Sequence, residues 1–140
     1  MNNSEIDNEI QKLTDSVNKL KAEKINNIMS EITKDLVEGN YYSILDIESH
    51  LTVYFKYNKD NFTITDGTGT IGYDGSCYIT IKDCLFETST KTVDKGGYIH
   101  NYRFDARKLA YGNSIFGREI EPISEEEHFR MVNRIMSKIN

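Results

Sequence analysis

Residues 50–67 read HLTVYFKYNKDNFTITDG, and this stretch decides the fold class. Leu51, Val53, Phe55 and Tyr57 recur at every second position, with His50, Thr52, Tyr54 and Lys56 between them. A period of two belongs to a strand with one face turned to a core. Asn58-Lys59-Asp60-Asn61 is turn chemistry and leads into a second strand, Phe62-Thr63-Ile64-Thr65, which Asp66-Gly67 closes with a tight turn.

The same rhythm continues towards the C-terminus. Thr70-Ile71-Gly72-Tyr73, Cys77-Tyr78-Ile79-Thr80-Ile81, residues 98–104 and residues 114–120 read as further strands, with Asp74-Gly75 a turn and residues 88–97 a polar connection. The expectation is an antiparallel meander of five or six strands. After Pro122, Ser124-Glu125-Glu126-Glu127 is a capping box with three acids in the first turn. Phe129, Val132, Met136 and Ile139 then follow at helical spacing, so a short helix closes the chain.

Upstream of residue 49 the period is helical. Ile6, Ile10, Leu13, Val17 and Leu20 alternate spacings of four and three, which is a heptad seam. The pattern slips by one residue near 22–25 and resumes as Ile25, Ile28, Ile32 and Leu36. With Ser4 as cap, Gly39-Asn40 as stop and no Gly or Pro over residues 5–38, one long amphipathic helix is predicted, with a bend at 21–24 as the alternative. Such a helix spans roughly 50 Å at about 1.5 Å per residue. A chain of this length has a radius of gyration near ~14 Å, so its own sheet cannot cover the whole stripe. Residues 1–40 are therefore expected to form a homo-oligomer through Ile6, Ile10, Leu13, Val17, Leu20, Ile25 and Ile28, and residues 41–140 the sheet domain with the C-terminal helix. The fold class is α+β.

Charge is uneven along the chain, whose net charge is −5. Residues 1–48 carry ten acids against five lysines, whereas all five arginines lie between Arg103 and Arg134. An acidic chain without a basic tail does not fit general nucleic-acid binding, which needs several phosphate-neutralising side chains. No apolar run approaches the roughly 18 residues of a membrane span, and the polar, acidic N-terminus MNNSEIDNEI lacks the plan of a signal peptide. A cytoplasmic protein is expected. Cys77 and Cys84, seven apart, would point to opposite faces of a regular strand about 23 Å apart, too far for a disulfide. They are read as free, buried, small apolar residues, with no metal and no cofactor.

Catalytic signatures such as GxSxG, a P-loop, HExxH or a Rossmann fingerprint are missing, and residues 66–70 (DGTGT) join strands rather than opening a helix. The histidines at 50, 100 and 128 have no ligand spacing; His128 is expected to be exposed, and His100 to alternate with Tyr98, Tyr102 and Phe104 on one strand face. Residues 96–118, GGYIHNYRFDARKLAYGNSIFGR, gather arginines among aromatic rings. Arginine offers a planar fork to phosphate, and aromatic rings stack on bases. His100, Tyr102, Arg103, Arg107, Tyr111, Asn113 and Arg118 are thus candidates for a nucleotide-like anion site. The competing reading has Arg103 and Arg107 paired with surface acids on the acidic helices and the tyrosines half-buried in the sheet.

These features point to a non-enzymatic oligomeric binding protein. Small acidic chains without catalytic signatures are frequent among phage and mobile-element inhibitors, so the expected partner is a bacterial protein or a sequestered nucleotide-like small molecule. The alternatives are a small hydrolase or nuclease using His100 with Arg103 or Arg107, and a structural or assembly component.

Overall fold

The computed structural model describes residues 1–67, 75–88, 94–110 and 119–139. Asn2, in extended conformation, accepts the Glu5 amide on its side-chain oxygen at 2.9 Å, so Asn2 rather than Ser4 caps the first helix. Helix α1 runs Asn3–Thr33 as one uninterrupted element. It stops before the expected Gly39 because the next amides find other acceptors. Leu36 N–H donates to the Thr33 carbonyl, and Val37 N–H to the Tyr42 hydroxyl at 2.8 Å. Gly39, at φ +89°, then turns the chain into the sheet.

Six strands follow among the described residues: β1 Tyr41–Asp46, β2 Leu51–Lys56, β3 Phe62–Asp66, β4 Cys77–Thr88, β5 Gly96–Asp105 and β6 Ile120–Ile123. A one-turn helix α2, Arg107–Ala110, follows β5, and α3, Glu125–Ile139, ends the chain. Every strand pairing is antiparallel. The expected strand at 70–73 and most of that at 114–120 lie outside the described residues. Strand β1 was not foreseen; it lies between β2 and β6. Edge strand β6 tolerates Pro122, which has no N–H to give.

Residues 57–61 do not make a hairpin. Strand β4 is long enough to take β3 at Cys77–Ile81 and β2 at residues 85–88, so β2 and β3 follow one another along it. Asn side chains satisfy the backbone of the detour between them. Asn58 Oδ1 accepts from Asp60 N–H and Asn61 N–H, and the Asn61 amide donates to the Lys56 carbonyl.

The alternation read in residues 51–57 places Val53, Phe55 and Tyr57 in the main core with Tyr42, Ile44, Phe62, Ile64, Ile79 and Phe104. Ile25, Ile28, Met29, Ile32 and Leu36 of α1 pack on it. Tyr54, pointing the other way, meets Met131 and Ile135 of α3. Helix α3 starts at the expected cap, with Glu127 N–H on Ser124 Oγ at 3.0 Å. Its sheet-facing residues are nevertheless His128, Met131 and Ile135, while Phe129, Met136 and Ile139 stay about half exposed. Two features set this rotation. Gly96 leaves room for Ile135, whose Cγ2 would lie 3.1 Å from any Cβ there. Buried Glu87 also draws Arg134 and Lys138 inwards. Its carboxylate accepts the Tyr54 hydroxyl at 2.7 Å, Arg134 Nε at 2.9 Å and Lys138 Nζ at 3.3 Å.

The β4–β5 pair changes sides midway. Cys77, Ile79 and Ile81 face the main core, but so does Cys84, because Asp83 adopts φ +62° and shifts the alternation by one. The opposite strand shifts with it, keeping the pairs Lys82↔Asn101 and Cys84↔Ile99. Two expectations based on a regular strand are thereby corrected. Both cysteines lie in one core, free and buried, rather than on opposite faces. Tyr98 and His100 are exposed, whereas Tyr102 and Phe104 are buried. Among the described residues, no helix is long and apolar enough to cross a membrane.

Candidate functional site

Between Cys77 and Asp83 of β4, the sheet carries two cross-strand rows on the face away from the main core. Register places Thr63 beside Thr80 and Thr80 beside Arg103; it places Thr65 beside Tyr78 and Tyr78 beside Asp105. Their neighbours Phe62, Ile64, Ile79, Ile81, Tyr102 and Phe104 turn into the core. The Arg103 guanidinium lies 4.1 Å from the centre of the Tyr78 ring. A cation over an aromatic face at this distance is attracted by the ring quadrupole and remains able to bind an anion edge-on. The ring also packs closely on Gly67, where an added Cβ would fall 2.1 Å from Tyr78 Cε2. Lys82 is exposed one row on, beside Asn101. A ring with a fixed guanidinium, flanked by threonines, suits a planar, anionic ligand.

The residues expected to form one pocket are divided. Tyr102 is buried and donates its hydroxyl to Asp46 Oδ2 at 2.7 Å. Arg107 forks onto the carboxylate of Asp105, with Nε at 3.1 Å from both oxygens and Nη2 at 2.6 Å from Oδ2. That guanidinium, against a smaller opposing effect of burial, holds the Asp105 carboxyl below its ordinary range. His100 stands with Asp83, its Nδ1 3.3 Å from Oδ1, and Asp83 also accepts the Tyr98 hydroxyl. The Tyr98 hydroxyl is the main cause that lowers the Asp83 carboxyl, with His100 adding to it. Arg103 alone of the described candidates sits on the open face with an aromatic partner; Tyr111, Asn113 and Arg118 lie outside the described residues. Tyr78, Thr80, Lys82 and Asp83 were missed. Alternation in residues 77–82 carries the signal for the first three, but which strand lies beside Arg103 follows from sheet register.

His128 was expected to be exposed and is buried instead, its ring 4.2 Å from the centre of Tyr41. Burial first, and the charge of Lys56 second, lower its pKa from the ordinary 6.5. Among the described residues, no group of three or more His, Cys, Asp or Glu side chains is placed to hold a metal ion.

No protein-family model matches the chain, and no curated protein or solved structure matches it significantly. The molecule's own surfaces are therefore the ground for a functional reading.

One of these is the helical arm. Every residue from 1 to 20 is exposed, and the ion pair of Lys21 with Asp66 at 3.3 Å ties the helix to the sheet just beyond them. Ile6, Ile10, Leu13, Val17 and Leu20 are 40–65 % exposed. Ile25 and Ile28, expected in the same interface, pack instead on the chain's own core. The physical reason is the slipped residue after Leu20. At about 100° per residue, the mean directions of Ile6–Leu20 and of Ile25–Ile32 differ by roughly a quarter turn. The exposed seam is therefore a separate face, not an overhang of the sheet-packing one.

Proposed function

We propose that this protein is a non-enzymatic, self-associating binding protein. Residues 3–20 join copies, and the open sheet face around Tyr78 and Arg103 receives an anionic, nucleotide-like ligand. The observation that carries this reading is the arm, which displays five aligned, exposed apolar side chains at heptad spacing, none of them in a core cluster of the described residues. A helix of that length without tertiary support is marginal in water, so a partner on the apolar stripe supplies what the sheet does not. Binding is favoured over hydrolysis because Arg103 and Arg107 engage Tyr78 and Asp105 rather than His100.

Light scattering at micromolar concentration tests the reading. The wild type should run as an oligomer, and the double substitution Leu13→Asp, Val17→Asp should give monomers that keep the β-sheet spectrum and lose helix signal. A wild-type monomer across that range would sink the proposal.

A further inference from the structure

We infer that the partner of residues 3–20 is one further copy of this chain, aligned parallel and in register, giving a two-stranded coiled coil. This rests on the self-association reading above and adds subunit number and orientation to it.

Heptad position is the first observation. The spacings put Ile10 and Val17 at a, and Ile6, Leu13 and Leu20 at d. β-Branched residues at a with leucine at d favour parallel dimers over higher states. Parallel, in-register pairing sets each of the five apolar residues against its own copy. Antiparallel pairing must match a with d, and either stagger leaves one residue against a polar side chain. In one stagger Leu20 meets Asn3. In the other Ile6 meets Lys24, whose Nζ already donates to the Gly75 carbonyl at 2.9 Å. That second stagger brings Glu9 opposite Glu23 and Asp7 opposite Lys21, so its flanking charges cancel and its polar layer is what disfavours it; the parallel seam flanks Glu9 with Thr14 and Ser16 with Lys21, no like charges facing.

The quarter-turn offset is the second observation, and it is independent of residue type. A parallel dimer has its two-fold axis along the helices, so both sheet domains emerge at the same end of the seam. Were the seam and the sheet-packing face in one line, each domain would stand where the partner helix must continue. Offset by a quarter turn, the two domains fall on opposite sides of the pair. Lys21 on Asp66 and Lys24 on Gly75 hold that rotation at the junction.

Asn3 occupies the a position one heptad before Ile10, and Asn8 is at f, facing outward. The native cysteines will not interfere, being buried, with burial pushing the Cys84 thiol up to about 12. In a glutathione redox buffer, full-length Asn3→Cys should form a disulfide-linked dimer at least several-fold faster than Asn8→Cys. Light scattering on the wild type should give the mass of two chains. If the wild type is dimeric, Asn3→Cys does not cross-link and mixed Asn3→Cys and Leu20→Cys chains do, the orientation is overturned and self-association stands. A mass of three or four chains overturns the two-stranded assignment. A monomer overturns this inference together with the reading beneath it.

Discussion

The Tyr102 hydroxyl donates to Asp46 Oδ2 at 2.7 Å, tying β5 to the end of β1 with both residues buried. Asp46 also accepts the Ser49 amide on Oδ1 at 3.1 Å, so this carboxylate fixes the β1–β2 turn as well as the strand beyond it. A tyrosine that the sequence suggests for a ligand pocket is in fact a structural clamp. Tyr102→Phe keeps the ring against Phe104 and removes the hydroxyl. Unfolding in urea should show a loss of about 1.5–3 kcal/mol, the usual size for a hydrogen bond to a charged group. Affinity for any ligand of the open face should be unchanged; a loss of affinity at full stability would return Tyr102 to the site.

Glu87 should govern acid stability. Burial pushes its carboxyl up, but Arg134, Tyr54 and Lys138 together outweigh this and hold it below its ordinary value of 4.5. A carboxyl lowered in the fold stabilises fully above 4.5, and the contribution is lost as pH falls through the folded value. Glu87→Gln should cost about 1–2 kcal/mol at pH 7 and flatten stability below pH 4.5. Denaturation midpoints measured from pH 7 down to 3 check both parts.

His128 acts in a higher window. Its buried Nδ1 has no hydrogen-bond partner among the described residues, and burial disfavours the charged ring. A histidine lowered in the fold stabilises fully above 6.5, and that stability falls as pH drops below it. His128→Phe keeps an aromatic ring against Tyr41 and removes the orphaned nitrogen. The variant should be about 1 kcal/mol more stable at pH 7.5 and gain further at pH 5.5. Equal midpoints for both proteins at pH 5.5 would refute the assignment.

The open face makes its own test. Arg103→Ala should lower affinity for a phosphate-bearing ligand roughly ten- to a hundredfold, since charge-assisted hydrogen bonds contribute about 1.5–3 kcal/mol each. Gly67→Ala should lower it as well by displacing the Tyr78 ring, although it carries no charge. Arg107→Ala should leave affinity intact and cost a little stability, because its fork is committed to Asp105. A thermal-shift screen of nucleotides followed by calorimetry reads all three. If no phosphate-bearing ligand shifts the melting curve, the site reading falls and the arm remains.

What the sequence determined by itself is local in origin. A period of two over residues 51–57, a heptad over 6–20 and a Ser-Glu-Glu-Glu cap before α3 each state their element, because side-chain direction follows from neighbouring backbone geometry. The slip after Leu20 was legible too, though not its meaning. Only the tertiary structure turned it into two faces, one for the sheet and one left open. Tertiary structure also decided the destinations of polar side chains. Arg107 went to Asp105, Tyr102 to Asp46, Arg103 to Tyr78 and His100 to Asp83, and three of these pairs join residues of different strands. Such pairings depend on sheet register and on one left-handed residue, Asp83, which reverses the alternation of two strands at once. No local pattern encodes which strand will lie alongside, so the elements can be read from the chain and the site only from the fold.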